Sequence, residues 1–199
     1  MRKIDYFFSP LSPYSYLAGG TLEKIAENAT VTIQYRPVDV ITLFSRTGGI
    51  ALPDRHPSRL EYRAQDLVRR ASMLDMPFNL KPAHVPTNPA PASYVIIAAQ
   101  DEGGGDLGAL VQAILKAAWS EEKDIADDGV LGELLTQNGF DRGLTMRGML
   151  SGAETYAKNL EDAVSLGVFG APFYVLDDGA KFWGQDRLSD LEAYLNKGK

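Results

Sequence analysis

The order of strand and helix patterns along this chain constrains its fold most strongly. The two ends of the chain carry short β-branched or aromatic strand patterns, whereas the middle carries long helical ones. Asp178-Gly179 is a hairpin turn signal between the last two strands. In chain order, the predicted elements of the two ends are strand 3–8, helix 13–28, strand 30–36, strand 172–177, strand 180–183 and helix 187–197.

The middle of the chain predicts helices joined by turns and by one proline-rich loop. Asp106 is a predicted N-cap, and Gly139 is a predicted helix stop. Ser151 with Glu154 forms a capping-box pattern and predicts where the last of these helices begins. The predicted helical segments are 58–75, 91–101, 106–119, 128–138, a short turn at 143–150, and 152–165.

The two ends together give β-α-β followed by α-β-β-α, which is the thioredoxin topology. We therefore predict an α/β protein with a thioredoxin-like fold and an inserted all-helical domain. The predicted thioredoxin-like domain is discontinuous and comprises residues 1–40 and 165–199. The inserted helical domain comprises residues 41–164.

The composition of the chain argues against several classes of function. The 199 residues include no cysteine, which excludes disulfide oxidoreduction by the chain's own thiols. The net charge of -6, without a basic run, argues against a nucleic-acid partner. No apolar run approaches the roughly 18 residues of a membrane span, and we expect a soluble, cytoplasmic protein. The two histidines lie in loop-like contexts, so neither a serine-histidine triad nor a metal site is predicted.

The junction between the first strand and the first helix reads Ser12-Pro13-Tyr14-Ser15, with serines where redox relatives carry Cys-x-x-Cys. Serine before proline is a common helix opening, so one interpretation is that Ser12 only caps the helix. The other is that its hydroxyl donates a hydrogen bond to the thiolate of a bound ligand. Such an anion is also favoured by the start of a helix. The residues alone leave both interpretations open.

Two further segments suggest a ligand site. Pro172 follows Gly170-Ala171 at the start of a strand, which suits a cis peptide bond that leaves the Ala171 backbone available to a peptide-like ligand. A trans proline at an edge strand is the alternative. Asp186-Arg187 opens the last helix, either as an N-cap with an exposed arginine or as a clamp for a zwitterion.

These segments resemble the 2-hydroxychromene-2-carboxylate isomerase family, which is related to kappa-class glutathione transferases and DsbA-like proteins. The matching stretches are SPLSPYSYLA, GVFGAPFYV and FWGQDRL, and DIADDGVLGELLTQNG resembles the family's helical insertion. The resemblance implies glutathione as cofactor and a homodimer. It also implies that Ser12 is catalytic and faces the glutathione sulfur. Ala171 and Pro172 would meet the glutathione backbone, and Asp186 and Arg187 its γ-glutamyl end.

The resemblance further implies glutathione-dependent cis-trans isomerisation of an aromatic 2-oxo-enoate, in bacterial breakdown of aromatic compounds. Some members carry Asn-Arg in the loop after the second strand, where this chain offers Arg55. Arg55 or Asn88 is expected to hold the substrate carboxylate. Trp183 is expected either to pack on the aromatic ring or to lie in the core or an interface. The alternatives are a kappa-like transferase or peroxidase and a non-catalytic binding protein.

Overall fold

The computed structural model describes residues 2–197. Its sheet has four strands in the order β2-β1-β3-β4, with β1 parallel to β2 and antiparallel to β3, which pairs antiparallel with β4. This confirms the thioredoxin-like fold. Tyr6 of β1 lies opposite Tyr35 and Tyr174 on the neighbouring strands. The strands are β1 Lys3–Phe8, β2 Thr32–Pro37, β3 Phe173–Leu176 and β4 Lys181–Trp183.

The predicted helices of the middle are all present, with small shifts at their ends. Asp106 caps its helix by accepting from the Ala109 amide, and Gly139 follows the next helix at φ +84°, as predicted. Within residues 2–197, no helix is both long and apolar enough to cross a membrane. The helices are α1 Pro13–Leu17, α2 Thr21–Ala29, α3 Val40–Thr47, α4 Pro57–Met73, α5 Ala90–Glu102, α6 Leu107–Trp119, α7 Asp128–Gln137, α8 Leu144–Arg147, α9 Met149–Ser165 and α10 Leu188–Asn196.

The single helix predicted over 13–28 is wrong in one respect, because the structure divides it into α1 and α2. Gly19 between them has φ +56°, in the left-handed region, which an uninterrupted helix does not allow. The break leaves α1 only five residues long. It therefore separates the residues that follow Ser12 from the longer helix packed behind them.

The capping box predicted at Ser151 is also wrong. Helix α9 begins at Met149, so Ser151 lies inside its first turn. The helix begins after Gly148 without a side-chain capping bond. It packs closely against α5, since a Cβ placed on Gly152 would lie 2.7 Å from the Tyr94 Cβ. In addition, the prediction omitted α3, which Asp39 caps by accepting from the Ile41 and Thr42 amides.

The alternation of side chains along β1 produces two cores, one on each face of the sheet. Ile4, Tyr6 and Phe8 enter the larger core, with residues of α1, α2, α5, α6, α7 and α10. Phe7 points to the other face and packs with Val38, Leu43, Ala163 and Val168. The larger core is continuous between the sheet and the helical middle. The domain boundaries at 40/41 and 164/165 remain a prediction.

Candidate functional site

The Ser12 hydroxyl lies between the start of α1 and the loop before β3. Its Oγ accepts a hydrogen bond from the Ser15 amide at 3.2 Å and donates one to the Ala171 carbonyl at 3.0 Å. Ser12 has an extended backbone, and Pro13 takes the first helical position, so the predicted capping role is confirmed. Capping is one of two interactions, however. The single hydroxyl proton is aimed away from the helix, across the site.

The peptide bond between Ala171 and Pro172 is cis, as predicted. The Pro172 carbonyl accepts from the Gly184 amide at 3.0 Å, which joins this loop to the segment after β4. The expectation of a free Ala171 backbone is only half correct, because its carbonyl already accepts from Ser12. Over residues 2–197, the Ala171 amide has no hydrogen-bond acceptor. A peptide-like ligand would therefore find one available donor here and one occupied acceptor.

Asp186 and Arg187 lie in a single 3-10 turn, Gln185–Arg187, which contacts α1. The alternative of an aspartate N-cap is wrong, because neither this turn nor α10 begins with a side-chain capping bond. Instead, Arg187 pairs with Asp186 at 3.3 Å and with Asp190 at 3.3 Å. Both side chains of the predicted clamp are partly exposed, so they are accessible to a ligand beside α1.

The three predicted substrate contacts lie in different places. Asn88 lines a cleft of about 300 Å³ together with Ser9 and Leu11, which immediately precede Ser12. Arg55 follows a 3-10 turn, Leu52–Asp54, and lies beside α4. Trp183 is 54% exposed on the edge strand and packs against Phe169 with ring centroids 4.8 Å apart. The core alternative for Trp183 is therefore wrong.

Sequence reasoning missed Tyr14 and Arg63. The Arg63 guanidinium lies 5.8 Å from the centroid of the Tyr14 ring, and Tyr14 donates to Asp66 at 3.2 Å. Burial, followed by the Asp66 charge, raises the pKa of Tyr14 to about 12. Burial lowers the pKa of Arg63. The available signal was Arg59 and Arg63, one helical turn apart, which place two cations on neighbouring positions of α4.

A buried polar cluster, which we call the tyrosine cluster, consists of Tyr6, Ser15, Glu23, Tyr35 and Tyr174. Tyr6 stacks on Tyr174 with centroids 5.3 Å apart, and Tyr35 donates to Glu23 at 2.8 Å. Tyr6 Oη, Ser15 Oγ, Glu23 Oε2 and Tyr174 Oη have no hydrogen-bond partner among residues 2–197. Burial raises the pKa of Glu23. It also raises the pKa of Tyr6, which the nearby Ser15 hydroxyl opposes only in part.

The arrangement favours a ligand that is a peptide-like zwitterion with an anionic or thiol group. It offers a hydroxyl proton, a free backbone amide and an adjacent carboxylate and guanidinium, all around the start of α1. No group of three or more metal-ligating His, Cys, Asp or Glu side chains occurs in the described part of the chain. The chemistry of these donors is hydrogen bonding and charge pairing.

Comparisons with known proteins show the family and the fold of this chain. Residues 3–196 match the family of DSBA-like thioredoxin domains. The 2-hydroxychromene-2-carboxylate isomerase of Sphingobium xenophagum is 30% identical over 98% of each chain. A solved structure of a 2-hydroxychromene-2-carboxylate isomerase superposes with a TM-score of 0.78 and 27% identity, covering 98% of this chain and 95% of that one. Glutathione S-transferase kappa 2 of Caenorhabditis elegans is 22% identical over 98% of this chain and 92% of its own length.

Proposed function

Because the chain belongs to the 2-hydroxychromene-2-carboxylate isomerase family of DSBA-like thioredoxin proteins, we propose that it is a glutathione-dependent cis-trans isomerase of an aromatic 2-oxo-enoate. The observation that carries the proposal is the Ser12 hydroxyl, held at the start of α1 and 3.0 Å from the Ala171 carbonyl. The chain has no cysteine, so any thiol at this position comes from a ligand.

The residues around Ser12 fit glutathione. The γ-glutamyl end of glutathione carries an ammonium and a carboxylate, and the Asp186–Arg187 pair offers one partner of opposite charge to each. The free Ala171 amide can donate to a ligand carbonyl. The Ala171 carbonyl can accept from a ligand amide once the Ser12 hydroxyl turns away from it.

When bound, glutathione would supply a thiolate, a nucleophile able to add reversibly to a conjugated carbon and so permit rotation about the former double bond. Ser12 contributes by donating a hydrogen bond to the sulfur, which favours the thiolate over the thiol. Its hydroxyl therefore turns from the Ala171 carbonyl to the ligand and keeps its own proton, while the hydrogen bond from the Ser15 amide is kept. Since α1 has only five residues, we assign this stabilisation mainly to the hydroxyl rather than to a helix dipole.

The substrate needs an apolar surface for its aromatic ring and a partner for its carboxylate. We assign the aromatic ring to the cleft that Leu11 and Asn88 line. This cleft adjoins the residues that lead into Ser12. We assign the substrate carboxylate to the cation of Arg55. Trp183 as a substrate contact, a homodimer and a cytoplasmic location remain predictions.

The second candidate is a kappa-type transferase or peroxidase, favoured by the similarity to the C. elegans kappa enzyme. Both candidates need the same thiolate, but only the transferase or peroxidase consumes it. Measuring free thiol during turnover of an aromatic 2-oxo-enoate separates them. An isomerase leaves the glutathione concentration unchanged after many turnovers, whereas a consuming enzyme lowers it in proportion to product.

Glutathione binding itself is tested by thermal shift, since a ligand that binds the folded state raises the melting temperature. We expect Asp186→Ala and Arg187→Ala each to weaken glutathione binding about tenfold or more, as loss of a charge-assisted hydrogen bond implies. Glu27→Ala is the control, because it removes an exposed charge from α2. Equal affinity of both variants and the parent would contradict the clamp. Absence of any shift in the parent would contradict the proposed function.

A further inference from the structure

Arg55 and Arg63 are two cations that have no acidic partner among residues 2–197. Neither forms an ion pair within 4.0 Å in the described residues, unlike Arg36, Arg46 and Arg147, which do. Burial lowers the pKa of both guanidinium groups, and the charge of Arg55 lowers the pKa of Arg63 further. Both groups are partly buried like charges, and neither has an acidic partner within 4.0 Å among residues 2–197.

Both guanidinium groups are nevertheless held in place. Arg55 Nε donates to the Ile50 carbonyl at 2.8 Å, and its guanidinium lies 5.6 Å from the Phe44 ring centroid. Arg63 lies 5.8 Å from the centroid of Tyr14. Cation–π contact orients a guanidinium and leaves its N–H groups free to donate. In the described residues, Arg63 makes no hydrogen bond through those groups.

The position of the pair relates it to the site. Tyr14 is two residues after Ser12 in α1, and its bond to Asp66 fastens α1 to α4. Arg63 lies one helical turn before Asp66 on α4. Its guanidinium group lies over the Tyr14 ring. The two guanidinium groups are thus carried on α4 and on the segment that leads into it, beside the short helix that Ser12 opens.

We propose that Arg63 joins Arg55, already assigned to a carboxylate above, in one carboxylate subsite, and that Arg63 determines its specificity for an anionic ligand. A carboxylate is the group that matches planar guanidinium donors best, and it would supply the missing counter-charge. The inference rests on the proposed function, because it assigns a ligand group to the same site. The carboxylate belongs either to the 2-oxo acid substrate or to the glycyl end of glutathione.

The first arm of the test measures binding of benzylidenepyruvate and of its methyl ester by titration calorimetry. We expect the parent to prefer the acid by at least about tenfold, as charge-assisted hydrogen bonds imply. Arg63→Gln and Arg55→Gln should reduce that preference below about threefold. Arg63→Lys keeps the charge and should retain part of it. Lys24→Gln removes an exposed cation from α2, serves as the control and should leave the preference unchanged.

The second arm compares glutathione with γ-glutamylcysteine, which lacks the glycyl carboxylate. If Arg63→Gln weakens glutathione alone, the subsite holds the glycyl carboxylate. If it weakens only the binding of benzylidenepyruvate, the subsite holds the substrate. The proposal is overturned if Arg63→Gln, folded by circular dichroism, changes acid and ester equally and leaves both peptides unaffected. A chain that keeps the acid preference but shows no isomerase activity would contradict the proposed function and leave the subsite standing.

Discussion

Ser12 and Ser15 stand three residues apart at the start of the same helix, yet their surroundings differ in every respect that matters for function. Ser12 Oγ makes two hydrogen bonds, one of them to the Ala171 carbonyl on another segment. Ser15 Oγ makes none in the described residues and is fully buried in the tyrosine cluster. Both side chains are buried, 7% and 0% exposed, but Ser12 lies between two segments that meet at the candidate site, whereas Ser15 lies in the interior.

The difference shows that residue type and spacing do not by themselves distinguish a candidate catalytic serine from a serine of the interior. Tertiary structure does, through the cis-proline loop that brings Ala171 against Ser12. In the proposed mechanism, Ser12 redirects its hydrogen bond from a protein carbonyl to a ligand at little cost, because one hydrogen bond replaces another. The tyrosine cluster, by contrast, contains four polar atoms that have no partner among residues 2–197, so it costs free energy in the folded state.

The first way to test the comparison is the free energy of unfolding of Ser12→Ala and Ser15→Ala. Ser12→Ala removes a helix cap and should lower that free energy by about 1 kcal/mol. Ser15→Ala removes a buried hydroxyl that has no partner and introduces a better helix former, so it should be at least as stable as the parent. Urea unfolding of both variants against the parent measures this. A larger loss for Ser15→Ala than for Ser12→Ala would reverse the comparison.

A smaller effect concerns the pH dependence of the tyrosine cluster. Burial raises the pKa of Glu23, so its stabilising contribution is complete below the unfolded pKa near 4.5 and is lost as pH rises through the higher folded pKa. Glu23→Gln keeps an acceptor for Tyr35 and lacks the charge. The stability of this variant relative to the parent should therefore increase from pH 4.5 towards neutrality.

The matched control for Glu23→Gln is Glu27→Gln, which changes an exposed carboxylate on the same helix. Urea unfolding at several pH values should show a pH-dependent difference for Glu23→Gln only. A difference of the same size and slope for both variants would show that burial of Glu23 is not its cause.

Much of the fold could be predicted because local patterns and tertiary packing agree. The Asp178-Gly179 turn lies between β3 and β4, and Gly179 has the positive φ that such a turn requires. The start of α9 could not be predicted in this way. Ser151 with Glu154 is a valid local signal, but the contact of Gly152 with Tyr94 depends on α5, about sixty residues earlier in the chain.

Some residues of the candidate site could likewise be predicted from local sequence, and others could not. Ser12 and the cis bond before Pro172 follow from short motifs, and the structure brings them together. Arg63 and Tyr14 were missed because their proximity depends on how α4 packs against α1. A helix face of charged residues is ordinarily solvated, and only the absence of acidic partners in the described residues distinguishes this one.

The most direct test of the account is the thiol pKa of bound glutathione in the parent, Ser12→Ala and Ser15→Ala, measured by thiolate absorbance against pH. If Ser12 donates to the thiolate, Ser12→Ala should raise this pKa by about one to two units, the equivalent of one charge-assisted hydrogen bond. Isomerisation at neutral pH should then fall at least about tenfold. Ser15→Ala should leave the pKa nearly unchanged. An unchanged titration curve in Ser12→Ala would contradict the catalytic role of Ser12 and reduce it to a helix cap.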